Sequence, residues 1–263
     1  MAVFGKCKLC KRYVKLVDGH IIPNSFYKPL RGGPGKNQNP VVMRNGMSTS
    51  QKSFQVSEHL LCKVCDNNNL GVTDGFAKEK IVGNGMGFPV ILENVAAVKD
   101  RGCVGKITDV VYLDKLLRFA YSVFWRASVS SADTLSFKLP DLLEEEIRLY
   151  LLDAHSKPPT STSLVVSVLD LPGYLSYPGK KRDYSYQVLI LPGPDPIFVS
   201  LGIQFCIYTE LAQSAIKNIA VKESGLVLLG QPDLCTPTLR EMYSSQPVGS
   251  KLEDSLLARK KEF

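Results

Sequence analysis

The spacing of apolar residues predicts two consecutive helices in the middle of the chain. From Leu113 to Ala127, apolar side chains recur every three or four positions, which places them on one face of a helix. Near the end of this helix we expect Trp125 and Arg126 to pack in the core rather than stack on a nucleic-acid base. A second helix is predicted to begin near Pro140, a residue suited to the first helical turn.

The pattern after these helices is that of β-strands. Residues 164–169 form an apolar run of strand length. Two further candidate strands, 184–191 and 197–208, flank a turn that contains three prolines and one glycine, so we expect a hairpin. Residues 226–229 are predicted to add an edge strand.

The pattern before the helices is less regular and divides the chain into three parts. Residues 28–52 are rich in Gly, Pro, Asn and Ser, which predicts a long loop with a short strand at 41–43. Three glycines in 83–87 predict a hinge. We therefore predict an α+β protein with an N-terminal domain over 1–82, a connector over 83–112, and a helical plus β-hairpin domain over 113–263 for docking or regulation.

Composition narrows the class of protein. The chain has 263 residues, of which 44% are hydrophobic and 22% charged, a composition typical of globular domains. No stretch approaches the roughly 18 uninterrupted apolar residues of a membrane span, and the N-terminus lacks the hydrophobic segment of a signal peptide. We expect no membrane partner and a cytoplasmic location.

The charge is unevenly distributed along the chain. Residues 1–106 contain 16 Lys and Arg against 7 Asp and Glu, a net charge of +9, whereas the remainder has 16 against 18, or −2. A basic module joined to a nearly neutral one suggests a polyanionic partner for the first part only. The alternative is a basic surface that is merely solvated.

Two pairs of cysteines suggest a metal site. Cys7 and Cys10, and likewise Cys62 and Cys65, are separated by two residues, which lets both sulfurs of a tight turn reach one ion. Two such turns supply the four ligands of a tetrahedral Zn²⁺ and leave no position for a substrate, so the predicted zinc is structural. The alternative is four unrelated buried thiols.

The residues around these pairs carry a resemblance to a known family. Between them lies the segment Asp-Gly-His-Ile-Ile-Pro that contains His20, and Leu-Leu directly precedes Cys62. In this order, over about residues 5–80, the chain resembles the HNH (ββα-metal, treble-clef) endonuclease family. The resemblance implies an N-terminal treble-clef finger with structural zinc. The segment 119–128 is similar to one that follows such modules in uncharacterised bacterial proteins.

The resemblance also implies a catalytic site that cleaves nucleic-acid phosphodiesters. His20 would be the general base that deprotonates the attacking water. Asp66 occupies the place of the family's metal ligand at the start of a helix, and Asp74 is a further candidate ligand. Carboxylates at these places suit Mg²⁺ or Mn²⁺.

The chain departs from the family pattern at two positions. Gly19 occupies a place where many members carry a metal ligand, and Asp18, one residue earlier, would face the other side of a strand. Ser57 stands where the family's middle Asn is expected, and Glu58 or His59 could substitute.

Nucleic acid is the expected partner, DNA in preference to RNA. Gly-rich sequence around the basic side chains of the long loop would allow a close approach to a phosphate backbone. The candidate contact residues are Lys28, Arg31, Lys36, Arg44 and Lys52. A solvated loop is the alternative interpretation.

Three functions fit these features. The first is a metal-dependent HNH-like endonuclease. The second is a non-catalytic, zinc-stapled subunit for nucleic-acid binding or assembly, which Gly19 and Ser57 favour. The third is an effector whose C-terminal domain docks on another protein and whose nuclease is silent until triggered. For this third function the resemblance suggests a bacterial anti-phage or mobile-element setting.

Overall fold

A computed structural model of the chain describes twelve segments, to which every structural statement below refers. They are residues 2–28, 41–44, 47–50, 55–82, 95–97, 104–132, 138–169, 189–191, 195–200, 203–209, 220–221 and 225–231. The predicted glycine hinge at 83–87 lies outside them, as do Arg31, Lys36 and Lys52.

A small antiparallel sheet begins the chain. Its strands β1 (Phe4–Lys6), β2 (Tyr13–His20) and β5 (Ser57–Cys62) lie in that order, with β2 in the middle. A short helix, α1 (Asn24–Tyr27), follows β2. The segment predicted as a long loop contains a separate two-stranded hairpin of β3 (Val41–Arg44) and β4 (Met47–Ser50), so the short strand predicted at 41–43 is present.

The small sheet leads directly into a helical segment. After β5 the backbone forms a π-helical turn (Cys65–Leu70), then helix α2 (Gly71–Ala77), then a second π-helical turn (Lys78–Val82). Single π-helical turns are uncommon and occur often at functional sites, because they change the direction of side chains within a helix.

Two longer helices form the centre of the structure. Helix α3 (Val110–Val129) begins where the Asp109 carboxylate accepts hydrogen bonds from two backbone N–H groups of its first turn. Helix α4 (Asp141–Leu152) begins directly after Pro140, as predicted. All residues of α3 from 116 to 128 are buried, so the face with polar side chains is covered as well as the apolar face. Among the described residues no helix is long and apolar enough to cross a bilayer.

The described part of the C-terminal region forms most of a seven-stranded sheet. Its strands are β6 (Val95–Ala97), β7 (Val104–Ile107), β8 (Thr162–Leu169), β9 (Leu189–Leu191), β10 (Ile197–Ser200), β11 (Ile203–Thr209) and β12 (Leu226–Gln231). Across the sheet the order is β6-β7-β12-β8-β11-β10-β9. Two of these strands, β6 and β7, come from the segment predicted as a connector, 83–112.

Two details of this sheet correct the predictions. Strand β12 is not at an edge: it lies between β7 and β8 and pairs with β8 in parallel. The single strand predicted at 197–208 is two strands, β10 and β11, whose register pairs Ser200 with Ile203. Residues 201–202, which connect them, lie outside the described residues. The predicted hairpin across residues 192–196 pairs β9 with β10.

Aromatic side chains join the small sheet, the central helices and the large sheet in one core. Phe26 of α1 stacks on Phe119 of α3 with ring centroids 5.3 Å apart. Phe119 in turn contacts Phe205 of β11 at 6.0 Å, and Phe205 stacks on Phe198 of β10 at 5.6 Å. The boundaries predicted at 82 and 113 therefore separate segments whose apolar side chains share one cluster.

Arg118 of α3 holds the end of α4. Its guanidinium donates to the carbonyl oxygens of Tyr150 at 2.5 Å, Ala154 at 2.9 Å, Asp153 at 3.1 Å and Ser156 at 3.3 Å. It also lies 4.2 Å from the centroid of the Tyr150 ring, a cation–π contact. Because the last carbonyls of a helix have no partner within the helix, this one side chain replaces the missing donors.

We expect the substitution Arg118→Met to lower the free energy of unfolding by about 2–4 kcal/mol, because it removes four hydrogen bonds to carbonyl oxygens and the ion pair with Asp114. Urea unfolding followed by circular dichroism would measure the change. Lys157→Met, which removes a charge from an exposed position after α4, should change it by less than about 0.5 kcal/mol. Equal effects of the two substitutions would contradict this role of Arg118.

Candidate functional site

Four cysteine sulfurs converge at one end of the small sheet. Cys7 and Cys10 lie in the turn between β1 and β2, Cys62 is the last residue of β5, and Cys65 begins the π-helical turn. All four sulfurs lie within 4.8 Å of one another, and those of Cys10 and Cys62 are 4.0 Å apart. Sulfurs at the corners of a tetrahedron around Zn²⁺, each about 2.3 Å from the ion, would be about 3.8 Å apart. The cluster could therefore hold a structural metal such as zinc.

Backbone hydrogen bonds fix the first cysteine turn. The N–H of Lys11 donates to the carbonyl of Cys7 at 2.9 Å, and Lys11 has a φ of 62°, which reverses the chain direction. The N–H of Lys8 donates to the carbonyl of Leu60 on β5 at 2.9 Å, which ties this turn to the second pair of cysteines. The N–H of Cys62 lies 3.4 Å from the sulfur of Cys7 and donates to it.

The thiols of the cluster have strongly different acidities. Burial raises the pKa of Cys10, but hydrogen bonds from the backbone and side chain of Arg12 outweigh it and lower the pKa to about 6. Burial raises the pKa of Cys65, and the neighbouring thiols raise it further. Four adjacent sulfurs cannot all ionise without a compensating charge, and a divalent cation would supply it.

His20 is the last residue of β2 and is held by a short chain of amides. Its Nε2 lies 2.6 Å from Gln55 Oε1, and Gln55 Nε2 donates to Asn24 Oδ1 at 2.6 Å. Because the amide oxygen faces the ring, Nε2 is the donor of this pair, which leaves Nδ1 of the neutral imidazole as a proton acceptor. The ring is half-buried.

The carboxylate of Asp66 lies against the backbone next to His20. A Cβ atom at Gly19 would come within 2.8 Å of Asp66 Oδ1, so a side chain at residue 19 would displace this carboxylate. The departure from the family pattern at Gly19 therefore has a local cause, since Asp66 occupies the space. Asp18, the earlier carboxylate considered for this role, is exposed.

The electrostatic environment of Asp66 connects it to three other charged or titratable groups. Burial raises the pKa of this carboxyl. Arg126 opposes the increase, Asp74 adds to it and His20 opposes it. These four side chains therefore interact, although they come from four separate elements of the chain.

Arg126 joins the central helix to this site. Its guanidinium forms two hydrogen bonds with the Asp74 carboxylate, at 2.9 and 3.0 Å, and donates to the carbonyl of His20 at 3.1 Å. The Arg126 side chain is 3% exposed and the Asp74 side chain 22%, so the arginine is desolvated while the carboxylate keeps some contact with water. Asp74, a candidate cation ligand, thus has both carboxylate oxygens engaged by an arginine.

The sequence did not predict this role of Arg126, although it contains a signal. Arg126 lies four residues after Ser122, whose side-chain and backbone oxygens both accept from it, within a helix that is otherwise largely apolar. An arginine buried in such a helix needs an anionic or carbonyl partner. The identity of that partner depends on the fold.

The two residues considered as substitutes for the family's Asn lie on β5, where Glu58 pairs with Gly19, the residue before His20. Glu58 accepts hydrogen bonds from the hydroxyls of Ser130 and Ser131, each at 2.6 Å, and from the N–H of Ser131 at 3.0 Å. It therefore holds the chain just after α3. His59 is exposed.

The predicted nucleic-acid contacts are only partly described. Lys28 is exposed immediately after α1, and Arg44 is the last residue of β3. The other three members of the predicted set lie outside the described residues, so their grouping with Lys28 stays a prediction.

No family model, curated protein or solved structure matches this chain. The function of the site must therefore be inferred from its own donor atoms and contacts. Those contacts place the Asp66 carboxylate between the last cysteine of the cluster and the strand end that carries His20.

We expect the purified chain to contain one tightly bound zinc ion, because the four sulfurs have the spacing of a tetrahedral site. Elemental analysis of protein purified without chelators would measure it. Cys62→Ser or Cys7→Ser should abolish or greatly reduce the zinc content, whereas Cys206→Ser, at a buried thiol of β11, should leave it unchanged. The absence of zinc, or full zinc content in Cys62→Ser, would contradict this prediction.

A second prediction concerns acid stability. Burial alone would raise the pKa of Glu58, but hydrogen bonds from Ser130 and Ser131 outweigh it and hold the pKa below its ordinary value. A carboxyl with a depressed folded-state pKa stabilises the fold above its unfolded pKa of about 4.3, and this contribution disappears as the pH falls through the folded value. We therefore expect Glu58→Gln to lower the free energy of unfolding at pH 7 by about 1 kcal/mol.

The difference between Glu58→Gln and the natural chain should shrink as the pH falls below about 4. Urea unfolding at pH 7, 5 and 3 would measure it. Asp18→Asn, a matched substitution at an exposed carboxylate, should leave the unfolding free energy at pH 7 unchanged. A Glu58→Gln difference that grows toward low pH would disprove the assigned role of these hydrogen bonds.

Proposed function

We propose that this chain is a metal-dependent, HNH-like endonuclease that hydrolyses nucleic-acid phosphodiesters, with DNA the preferred substrate. The observation that carries the proposal is the position of the Asp66 carboxylate, which directly follows the last cysteine of the cluster and lies against Gly19, the residue before His20. The order of elements supports a treble-clef finger, since a cysteine turn between strands is followed by a second cysteine pair that opens a helical segment.

His20 is proposed as the general base. Histidine side chains ordinarily change charge between about pH 5 and 8, so near neutral pH they can accept a proton from water. The Gln55 contact at Nε2 orients the ring and leaves Nδ1 to take that proton. Arg126 donates a hydrogen bond to the backbone carbonyl of His20. This contact fixes the backbone at the end of β2 and therefore the position of the ring.

Asp66 is the proposed ligand of the catalytic cation. Mg²⁺ or Mn²⁺ bound there would neutralise charge on the phosphate and on the departing oxygen. The carboxylate is half-buried and lies against Gly19, the residue before His20. Asp74 has its oxygens engaged by Arg126, so we assign it to positioning this arginine rather than to binding the cation.

The remaining elements of the proposal have supporting roles. A structural Zn²⁺ at the four cysteines would fix β2 and the helical segment relative to each other, and so fix His20 relative to Asp66. The basic loop residues Lys28, Arg31, Lys36, Arg44 and Lys52 would contact the phosphate backbone. We propose that the protein acts as an effector in anti-phage defence and that its C-terminal region docks on another protein.

A second function has its own support. Gly19 provides no ligand and Asp74 is paired with Arg126, so Asp66 is the one carboxylate of the predicted set that remains to bind a cation. A site with so few ligands favours a zinc-stapled subunit that binds nucleic acid or assembles with a partner without cleaving. The two functions differ in whether His20 is needed for a chemical step.

Incubation of the full chain with plasmid DNA and with RNA, in Mg²⁺, in Mn²⁺ and without added divalent cation, tests the proposal. We expect cation-dependent cutting that falls by about a hundredfold or more in His20→Ala, because general-base catalysis contributes about 10²–10⁴ in rate. His155→Ala, at an exposed histidine after α4, is the matched control and should cut normally.

Zinc content and thermal stability of both variants would show that the fold is retained. Cutting by His20→Ala at the normal rate would exclude the proposed mechanism. Binding without cutting under every condition, unchanged in His20→Ala, would favour the non-catalytic function instead.

A further inference from the structure

One face of the first two strands carries exposed aromatic rings next to lysines. Phe4 on β1 lies directly opposite Lys15 on β2, and Lys6 lies opposite Tyr13. Residues directly opposite one another, and residues two apart on a strand, project from the same face of a sheet. These four residues therefore form one surface, which we call the aromatic–lysine face.

The rings of this face are not part of the core. Phe4 is 60% exposed and Tyr13 is 75% exposed, and both lysines are exposed. The opposite face of the same strands packs inward, where Leu16 is buried and lies so close to Gly5 that an added Cβ would come within 2.9 Å of it. The strands thus have a covered face and a second face whose large aromatic side chains remain in water.

The two strands and the turn between them are rich in basic residues. Residues 2–17 contain five basic side chains and no acidic one. All five are exposed: Lys6, Lys8, Lys11, Arg12 and Lys15. A ligand that complements this surface carries negative charge and also offers flat apolar groups to the two rings.

We propose that the aromatic–lysine face binds single-stranded nucleic acid. Bases stack on Phe4 and Tyr13, and phosphates lie against Lys6 and Lys15. Stacking of this kind is tolerant of sequence, because every base has a π-face, and it is combined with electrostatic contacts in proteins that bind single strands. The proposal goes beyond the endonuclease function, since it does not require His20 to act on the bound strand.

The face is distinct from the His20 site. Tyr13 and His20 are the first and last residues of β2, so their Cα atoms are separated by about 20 Å at the usual rise per residue. None of its four residues belongs to the predicted basic loop, whose members follow α1 in the sequence. It is therefore an additional contact for a nucleic-acid strand.

Other occupants fit the face less well. A duplex hides the faces of its bases in the stack, so it cannot use the exposed rings in this way. A second copy of the chain would bring like charges together, because the same lysines would meet across a symmetric contact. A membrane-binding surface needs a continuous apolar patch, whereas here a lysine lies opposite each ring.

Binding of a fluorescein-labelled dT15 oligonucleotide to the full chain, followed by fluorescence anisotropy without added divalent cation, tests the proposal. Phe4→Leu and Tyr13→Leu keep an apolar side chain but remove the ring, and each should weaken binding about fivefold or more. The double variant should weaken it about 30-fold or more. Tyr13→Phe retains the ring and should bind normally.

The salt dependence tests the lysines separately. Each phosphate contact on a single strand contributes about 0.7 to the slope of log affinity against log salt concentration, so Lys6→Gln with Lys15→Gln should reduce the slope by about 1.4. Lys106→Gln with Lys157→Gln removes two exposed charges elsewhere and should leave the slope unchanged.

Several outcomes would overturn the proposal. They are no binding of dT15 by the natural chain, equal binding by the double ring variant, binding to anionic lipid vesicles in place of dT15, and dimerisation in sedimentation that the double ring variant abolishes. The endonuclease proposal is judged separately by plasmid cutting in His20→Ala. If the dT15 experiments contradict the role of the aromatic–lysine face while plasmid cutting still depends on His20, only the proposal for this face is disproved.

Discussion

The buried guanidinium of Arg126 is the contact on which the arrangement of the site depends. It comes from the middle of the core, yet it reaches the carbonyl of His20 and the carboxylate of Asp74. Removing this arginine would leave the half-buried Asp74 carboxylate and the His20 carbonyl without their donor, and each hydrogen bond to a charged group is worth about 1.5–3 kcal/mol. The central helix, the end of β2 and α2 are therefore held in one geometry by a single side chain.

The parts of the site that can be predicted from the sequence depend on the spacing of residues close together in the chain. The two-residue interval within each cysteine pair decides that both sulfurs of a turn face the same side, and the prediction that the four cysteines come together is confirmed. The amphipathic spacing of α3 and the helix start at Pro140 are also local, and both helices are present. The roles of His20 and Asp66 came from a family resemblance and stay predictions.

The features that the sequence did not predict depend on contacts between distant residues. Arg126 and Asp74 are 52 residues apart, and Arg126 and His20 are 106 apart, so no local pattern relates them. The short apolar run of β12 led to its prediction as an edge strand. Its position inside the sheet depends on pairing with β7 and β8, which are distant in sequence. Likewise, Arg118 and Ser128 of α3 are covered by α4. Arg126 is covered by α2 and the end of β2.

The interior place of β12 has a consequence for synthesis of the chain. Its neighbours β7 and β8 precede it by many residues, so during translation both have an unpaired edge until residues 226–231 leave the ribosome. Unpaired edges of this kind can pair with other chains, and contacts between distant residues form slowly. The nascent protein is therefore most exposed to aggregation in the interval between completion of β8 and arrival of β12.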